Sequence, residues 1–582
     1  MNIRTLASAL AVCLAAASCS GPKDGTYSFT LLTTNDIHGT FFDSTYVGGN
    51  VKKSLYGIKH VVDSVRSADG AGNVILVDAG DIVQGDNAAY YFNYVDTLAP
   101  HVYPRMAKYM GYDAVALGNH DIEAGHPVYD RLVKDMKAQG IPLLAGNAIR
   151  TDNGKPYFQT YTVLKRNGLR IAVLGYDNAN IAGWLSERLW YGMRFESLIP
   201  LVQKDVDRVV AKEKPHVVIV AVHSGTGNGD GTQLESQGLD LMKSLKGVDF
   251  LICSHDHRPR VVQSDTICLI NSGSHSRYTG RGRIDLAVEG GKVVSKSLSA
   301  SLIPVDARKI DTLMAKEFHD DFAAVKAFSV RKVGELREDL VTRDAYKGMC
   351  GYLDLIHALS LSMPEARISF AAPLTFNGTV KAGDIIYNDL FTIYPFENQL
   401  YVVKMTGKEV KDYLEASYDG WVNTVSAPAD HVLRIVPRDD PRTGSRTWSF
   451  SGRSYNFDSA GGLVYTVDVT RPRGERVVIE SFADGAPFSE GETYNVAMTS
   501  YRASGGGGLM AEAGIDTGRI EERLVATYPE FRDILYEYLK ENSVLEPSSI
   551  GAGAGIGRWR FVPEAVAVPG IERDMELLFG NR

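Results

Sequence analysis

Five apolar runs of strand length, each stopping at side chains that bind metals, constrain this chain more than anything else in its sequence. Val74-Ile-Leu-Val-Asp-Ala-Gly-Asp81 runs straight into a glycine turn that carries a carboxylate. Tyr27-Ser-Phe-Thr-Leu-Leu leads to Asn35-Asp36-Ile-His38-Gly, and Ala114-Val-Ala-Leu leads to Gly118-Asn119-His120-Asp121. Val217-Val-Ile-Val-Ala-Val ends at His223, and Val248-Asp-Phe-Leu-Ile leads to His255-Asp-His257. Helix-patterned segments lie between them, for example Ile58 to Val65 and Leu198 to Val210. Strands alternating with helices predict an α/β sheet, and such sheets keep their sites at strand ends. Ligands distant in sequence then converge on one edge.

A lone Asp-x-His is most often a turn or a cap, but five strand ends supplying Asp, His, Asp, Asn, His, His and His make a coherent donor set. Its mixed oxygen and nitrogen character suits Zn, Mn or Fe better than Ca or Mg, and its size suits two metals. Cys253, two residues before His255, reads as a buried core thiol rather than a ligand. His60, His101, His126 and His216 read as surface or packing histidines, and His275, after the strand-like run Ile267-Cys-Leu-Ile, stays unassigned, as do the polar loops around Asn147 and Asn178.

In order and spacing these motifs resemble those of the calcineurin-like metallophosphoesterases, and within them the 5′-nucleotidase and UDP-sugar hydrolase family. The resemblance implies an N-terminal four-layer α/β/β/α sandwich, a connector helix and a C-terminal α+β substrate-binding domain. It implies one divalent ion held by Asp36, His38 and His257, a second by Asn119, His223 and His255, and Asp81 between them. Ser254 stands where the family usually has glycine. His120 resembles the family's catalytic histidine, and Glu123 stands where an aspartate usually orients it, with Asp121 the nearer alternative partner. Phosphate esters repel anionic nucleophiles, and paired cations roughly 3.5–4 Å apart both generate a hydroxide and clamp the phosphoryl oxygens.

Residues 1–18 read as a secretory signal, too short to span a bilayer, and Ala16-Ala-Ser-Cys19 resembles a bacterial lipobox that would lipidate Cys19. Residues 19–27 then form a tether, and the expected location is exported, periplasmic or at the cell surface, with membrane attachment only through that lipid. Of five cysteines, Cys253, Cys268 and Cys350 remain after cleavage and acylation, enough for one disulfide at most. The 582 residues suffice for two full cores, and the net charge of −8 argues against a surface that tracks nucleic acid duplexes. Small anions are the expected partners.

Domain boundaries are expected at 28–304 for the metal domain, 305–340 for the connector, 341–545 for the substrate domain and 546–582 for a tail. From Asp306 to Phe328 the apolar residues Ile310, Leu313, Met314, Phe318, Phe322 and Val325 recur at helical spacing, which predicts one long amphipathic helix. The segment Tyr528 to Leu539 reads as the last helix, and Trp559-Arg-Phe-Val-Pro as a piece that packs back.

The second half resembles the 5′-nucleotidase C-terminal domain in Ile385 to Asn398, in Met405-Thr-Gly407-Lys-Glu, and in Tyr494 through Tyr501 to Gly508. The resemblance implies that Phe396 and Tyr501 sandwich a nucleobase. The family's phosphate-gripping arginine is missing, with Asn377 at its position, and Gly507 replaces an aspartate of the glycine cluster. Arg343 and Arg502 are the expected substitutes for the lost guanidinium. The expected activity is two-metal release of phosphate from nucleoside 5′-monophosphates or related nucleotides. The alternatives are a 2′,3′-cyclic phosphodiesterase or UDP-sugar pyrophosphohydrolase on the same centre, and a nucleotide- or metal-binding surface lipoprotein without turnover.

Overall fold

The computed structural model describes residues 22–396, 398–439, 446–547 and 555–580. The expected signal peptide and Cys19 lie outside the described residues.

Two six-stranded sheets build the N-terminal domain. The first runs in the order Lys292–Pro304, Tyr278–Glu289, Gly25–Thr34, Val74–Asp78, Ala114–Ala116 and Leu143–Leu144. The second runs Arg260–Gln263, Cys268–Asn271, Phe250–Cys253, Val217–Val222, Leu169–Tyr176 and Tyr161–Arg166. All five ligand-bearing runs pair in parallel within their sheets: Gly25–Thr34 with Val74–Asp78, Val74–Asp78 with Ala114–Ala116, and Val217–Val222 with Phe250–Cys253. Phe29, Leu31, Ile75 and Val77 of the first sheet pack face to face against Ile171, Val173, Ile219 and Phe250 of the second. Helices cover the outer faces, with Leu55–Asp69, Val102–Met110 and His126–Ala138 on one side and Leu198–Glu213 and Gly238–Ser244 on the other. This is the α/β/β/α sandwich. Burial on both faces explains why these strands are apolar throughout, each Val, Leu or Ile contributing roughly 1.5–3 kcal/mol.

The C-terminal domain is built on a five-stranded sheet in the order Ser459–Gly461, Ile368–Ala371, Thr493–Thr499, Gln399–Thr406 and Leu524–Glu530. The Met-Thr-Gly-Lys-Glu motif is where helix Gly407–Trp421 leaves that sheet. Thr406 and Glu409 form a capping box, and a side chain on Gly407 would meet the Ser489 carbonyl at 2.1 Å. Its role is structural.

The expected long connector helix is two helices, Thr312–Glu317 and His319–Ser329. Phe318 leaves helical geometry between them and seats its ring against Tyr109, while Asp321 pairs with Arg105 at 2.7 Å. Both anchors lie on Val102–Met110, so the break fits the connector to the first domain. Met314, Phe318 and Val325 join that domain's core and Phe328 joins the second's, beside Tyr90. Tyr90 also donates to Asp533 at 2.9 Å, and Asn87 to Asn388 at 3.0 Å, which ties the two domains together.

Helix Phe531–Asn542 forms as expected but is not the last: the tail adds strand Gly557–Val562, parallel to Leu463–Asp468, and helix Glu564–Phe579. Cys253, Cys268 and Cys350 are free thiols. Among the described residues no helix is long and apolar enough to cross a membrane.

Candidate metal centre and substrate cleft

The chain reverses sharply at each strand end, and the reversals put the ligands in strained backbone. Asp36, His38, Asp81, His255 and His257 all have positive φ, between 48° and 68°, a region non-glycine residues rarely adopt. Surrounding contacts hold them there. Asp36 donates its backbone N–H to Gly80 O at 2.9 Å and His38 to Asp81 O at 3.0 Å. Asp121 accepts from the backbone N–H groups of Asp81, Ile82, Val83 and Gly118 at 2.9–3.0 Å, so it fixes the Asp81 loop and does not orient His120. The glycines of the motifs have a steric reason: a Cβ on Gly118 would lie 2.3 Å from Asp81 Oδ1, and one on Gly80 would lie 2.5 Å from the backbone of Leu117 and Gly118.

Two groups of ligand atoms result, Asp36 with His38 and His257, and Asp81 with His223 and His255, the atoms of each group lying within 4.8 Å of one another. Asn119 Oδ1 is 3.0 Å from His255 Nδ1, completing the second set. The sets adjoin through Asp36 Oδ1, which is 3.9 Å from His223 Nε2. All seven expected ligands are thus brought together. Their chemistry fits cations. His223 Nδ1 is turned to Ala79 O at 2.8 Å, which leaves Nε2 buried, outside hydrogen-bonding geometry and 3.0 Å from Asp81 Oδ2. His38 and His257 aim their Nε2 atoms at one another at 2.9 Å. Burial holds the His38 imidazole well below its usual pKa, so that ring is neutral and offers a lone pair, whereas His257 sits at the exposed edge of the group. Asp36 is fully buried, and burial pushes its carboxyl up to about 8 against the pull of His223, a cost that bound cations remove.

His120 Nδ1 is 2.5 Å from Glu123 Oε2, which makes Glu123 its partner. Burial works to lower the pKa of His120, but the carboxylates of Asp81 and Glu123 outweigh it and raise it to about 10. Ser254 does more than replace a glycine: its buried hydroxyl lies 3.0 Å from His223 Nδ1 and donates to Ala79 O at 3.1 Å. His275 stacks on His38 at 5.1 Å and donates its backbone N–H to Asp36 O at 2.8 Å. Asn178 holds His223 from behind through the His223 carbonyl at 3.0 Å, and Asn147 in turn holds Asp177.

The candidate metal ligands Asp81, Asn119, His255 and His257 open with His120 onto a cleft of about 1020 Å³ whose other wall is the second domain, with Phe396, Tyr455 and Tyr501. Trp184 stacks on His255 at 5.0 Å and walls the metal side. Neither Trp184 nor Tyr455 stood out in the sequence, since each sits in a single helical turn, Ile181–Trp184 and Ser454–Asn456, too short to show a period. Phe396 meets Tyr455 edge-on with centroids 6.1 Å apart, whereas Tyr501 is backed by Gly506, where a Cβ would strike the Tyr501 ring at 2.4 Å.

Neither expected substitute offers a free guanidinium to the cleft, and Asn377, at the missing arginine's position, lies outside it. Asn377 is exposed and does not line the cleft, because Phe376 turns toward Phe579 of the tail helix at 5.0 Å. Arg343 also lies outside the cleft, its guanidinium 5.9 Å from the Phe579 ring. Arg502 borders the cleft, but its guanidinium is spent: it donates to both Asp458 oxygens at 2.8 and 2.9 Å, and to Asn456 Oδ1, Gly506 O and Tyr455 O. A side chain on Gly507 would fall on Asn456 Oδ1 and the Arg502 guanidinium, which explains the missing aspartate there.

Comparison with known proteins agrees with this geometry. Residues 29–259 match the family model for calcineurin-like phosphoesterase, and residues 329–513 match the 5′-nucleotidase C-terminal domain. A 5′-nucleotidase of Vibrio vulnificus is 24% identical over 92% of this chain and 94% of its own length. The trifunctional nucleotide phosphoesterase protein YfkN of Bacillus subtilis is 23% identical over 89% of this chain, which spans 38% of that longer protein. Among solved structures, a putative 5′-nucleotidase from Staphylococcus aureus in complex with alpha-ketoglutarate shares the fold, with a TM-score of 0.74 and 19% identity over 92% of this chain and all of that one.

Proposed function

The chain belongs to the 5′-nucleotidase family, a calcineurin-like phosphoesterase domain joined to a 5′-nucleotidase C-terminal domain, and from that premise we propose that it releases phosphate from nucleoside 5′-monophosphates. It is a metal-dependent phosphoester hydrolase. The observation that carries the substrate reading is that the proposed metal ligands, His120 and an aromatic wall face one shared cleft.

Asp36, His38 and His257 would hold one divalent ion, and Asn119, His223 and His255 the other, with Asp81 serving both. Such a pair supplies an activated water and neutralises phosphoryl charge. The chain's own groups do the rest. Glu123 fixes His120 by its Nδ1, leaving Nε2 as the ring nitrogen that meets a phosphoryl or leaving oxygen. Phe396, Tyr455 and Tyr501 offer base-stacking surface, worth about 1–3 kcal/mol per base and tolerant of base identity. Trp184 limits water around His255. Export and lipidation at Cys19 belong to the same reading, supported by the apolar leader and the Ala-Ala-Ser-Cys sequence.

Phosphate release measured on AMP, UMP, a nucleotide sugar and an aryl phosphate tests the assignment. Preference for the monophosphates is expected. Equal turnover of the aryl phosphate would mean that the second domain selects nothing, and bound metal without turnover would make this a binding lipoprotein.

A further inference from the structure

With Arg502 spent and Arg343 turned to the tail, one guanidinium in the cleft keeps its donors. Arg453 is exposed, lines the cleft, and among the described residues its side chain makes no hydrogen bond or ion pair. Its backbone, in contrast, is fixed. Its carbonyl accepts from Asn456 N at 2.9 Å and opens the short turn Ser454–Asn456. Arg502 clamps that turn through Tyr455 O at 2.7 Å and Asn456 Oδ1 at 3.0 Å. A rigid mount therefore carries a free fork of N–H donors. Two residues on is Tyr455, whose ring meets Phe396, so Arg453 belongs to the aromatic wall built by the second domain, while every metal ligand belongs to the first.

Resting on the nucleotide reading above, we infer that Arg453 reads the base, selecting 6-oxopurines, whose O6 and N7 are adjacent acceptors that a guanidinium engages bidentately. Adenine sets a donor at N6 beside N7 and repels half of a fork that has no acceptor. A second phosphate is the poorer match. It would bring further negative charge beside the carboxylates of Glu235 and Asp256, which line the cleft. A base edge is neutral and asks only for donors. Stacking on the aromatic wall binds any base, and Arg453 adds the discrimination.

Calorimetric titration of the purified protein with guanosine, inosine and adenosine tests this without turnover. Guanosine and inosine are expected to bind at least about tenfold tighter than adenosine. Arg453→Met should erase the difference, Arg453→Lys should restore part of it, and the GMP-to-AMP ratio of kcat/KM in the metal-loaded enzyme should fall in parallel. Equal binding of guanosine and adenosine by the wild type, or equal weakening of both by Arg453→Met, overturns the inference. Base discrimination lost in Arg453→Met by a protein that hydrolyses no nucleotide would support Arg453 while the hydrolytic reading fails, so the two failures are distinct.

Discussion

Nδ1 of His120 and Oε2 of Glu123 lie 2.5 Å apart, within one turn of the helix Asn119–Glu123 that opens with a metal ligand. The proposed ligand Asn119 and the proposed acid/base group His120 are thus positioned by the same short element. His120→Ala should cut kcat by roughly 10²–10⁴ and leave metal content unchanged. Glu123→Gln should cut it by roughly 10–100-fold, since an amide still holds the ring but does not support its charge. Metal analysis beside the kinetics checks the split: loss of metal in His120→Ala would make His120 a ligand.

Asp81→Asn is expected to remove both ions or their activity together. Its carboxylate stands 3.0 Å from His223 Nε2 and accepts from His120 N at 2.9 Å, so it touches both a proposed ligand and the proposed catalytic histidine. Elemental analysis after gel filtration, with turnover on AMP, measures this. Near-normal turnover would refute the shared role.

Arg502 should behave as a structural residue. Arg502→Ala leaves the buried Asp458 carboxylate unpaired, which costs roughly 3–5 kcal/mol. Denaturant unfolding should show a loss of that size, whereas a phosphate-gripping arginine would raise KM at unchanged stability.

His357, buried between the Ser369 and Ser459 hydroxyls, has its pKa pulled down by burial to about 3. It is neutral when folded and takes a proton near 6.5 when unfolded, so the unfolded state binds more protons below that pH. Stability is fully present above about 6.5 and is lost as pH falls toward 3, by up to about 1.4 kcal/mol per pH unit for this one group. Between pH 6.5 and 5, His357→Gln should show a shallower fall in melting temperature than the wild type. Parallel curves would contradict the assignment.

The metal centre was legible because its determinants are local. Gly80 and Gly118 are needed where Asp81 and the neighbouring loop nearly touch, and the ligands follow buried strands, so each motif encodes its own geometry. The cleft's other wall was not. Arg453, Tyr455 and Trp184 come from isolated short turns whose positions depend on distant contacts, such as the clamp from Arg502 to Tyr455. Asn377 was misplaced for the same reason: the tail's Phe579 draws its neighbour Phe376 outward. The connector carried a clean helical period, yet Phe318 breaks it to reach Tyr109, a tertiary demand that local spacing does not record. Of the two aromatics expected to hold a base, Phe396 and Tyr501, both line the cleft, but the ring that Phe396 meets is Tyr455.

Phosphate release from AMP by the purified, metal-stripped protein, titrated with Mn or Zn while bound metal is counted, tests the central claim most directly. The account predicts no release without metal and full activity only as the second ion per chain is taken up. Unchanged release in the stripped protein, or two bound ions with no release from any nucleotide, would contradict it.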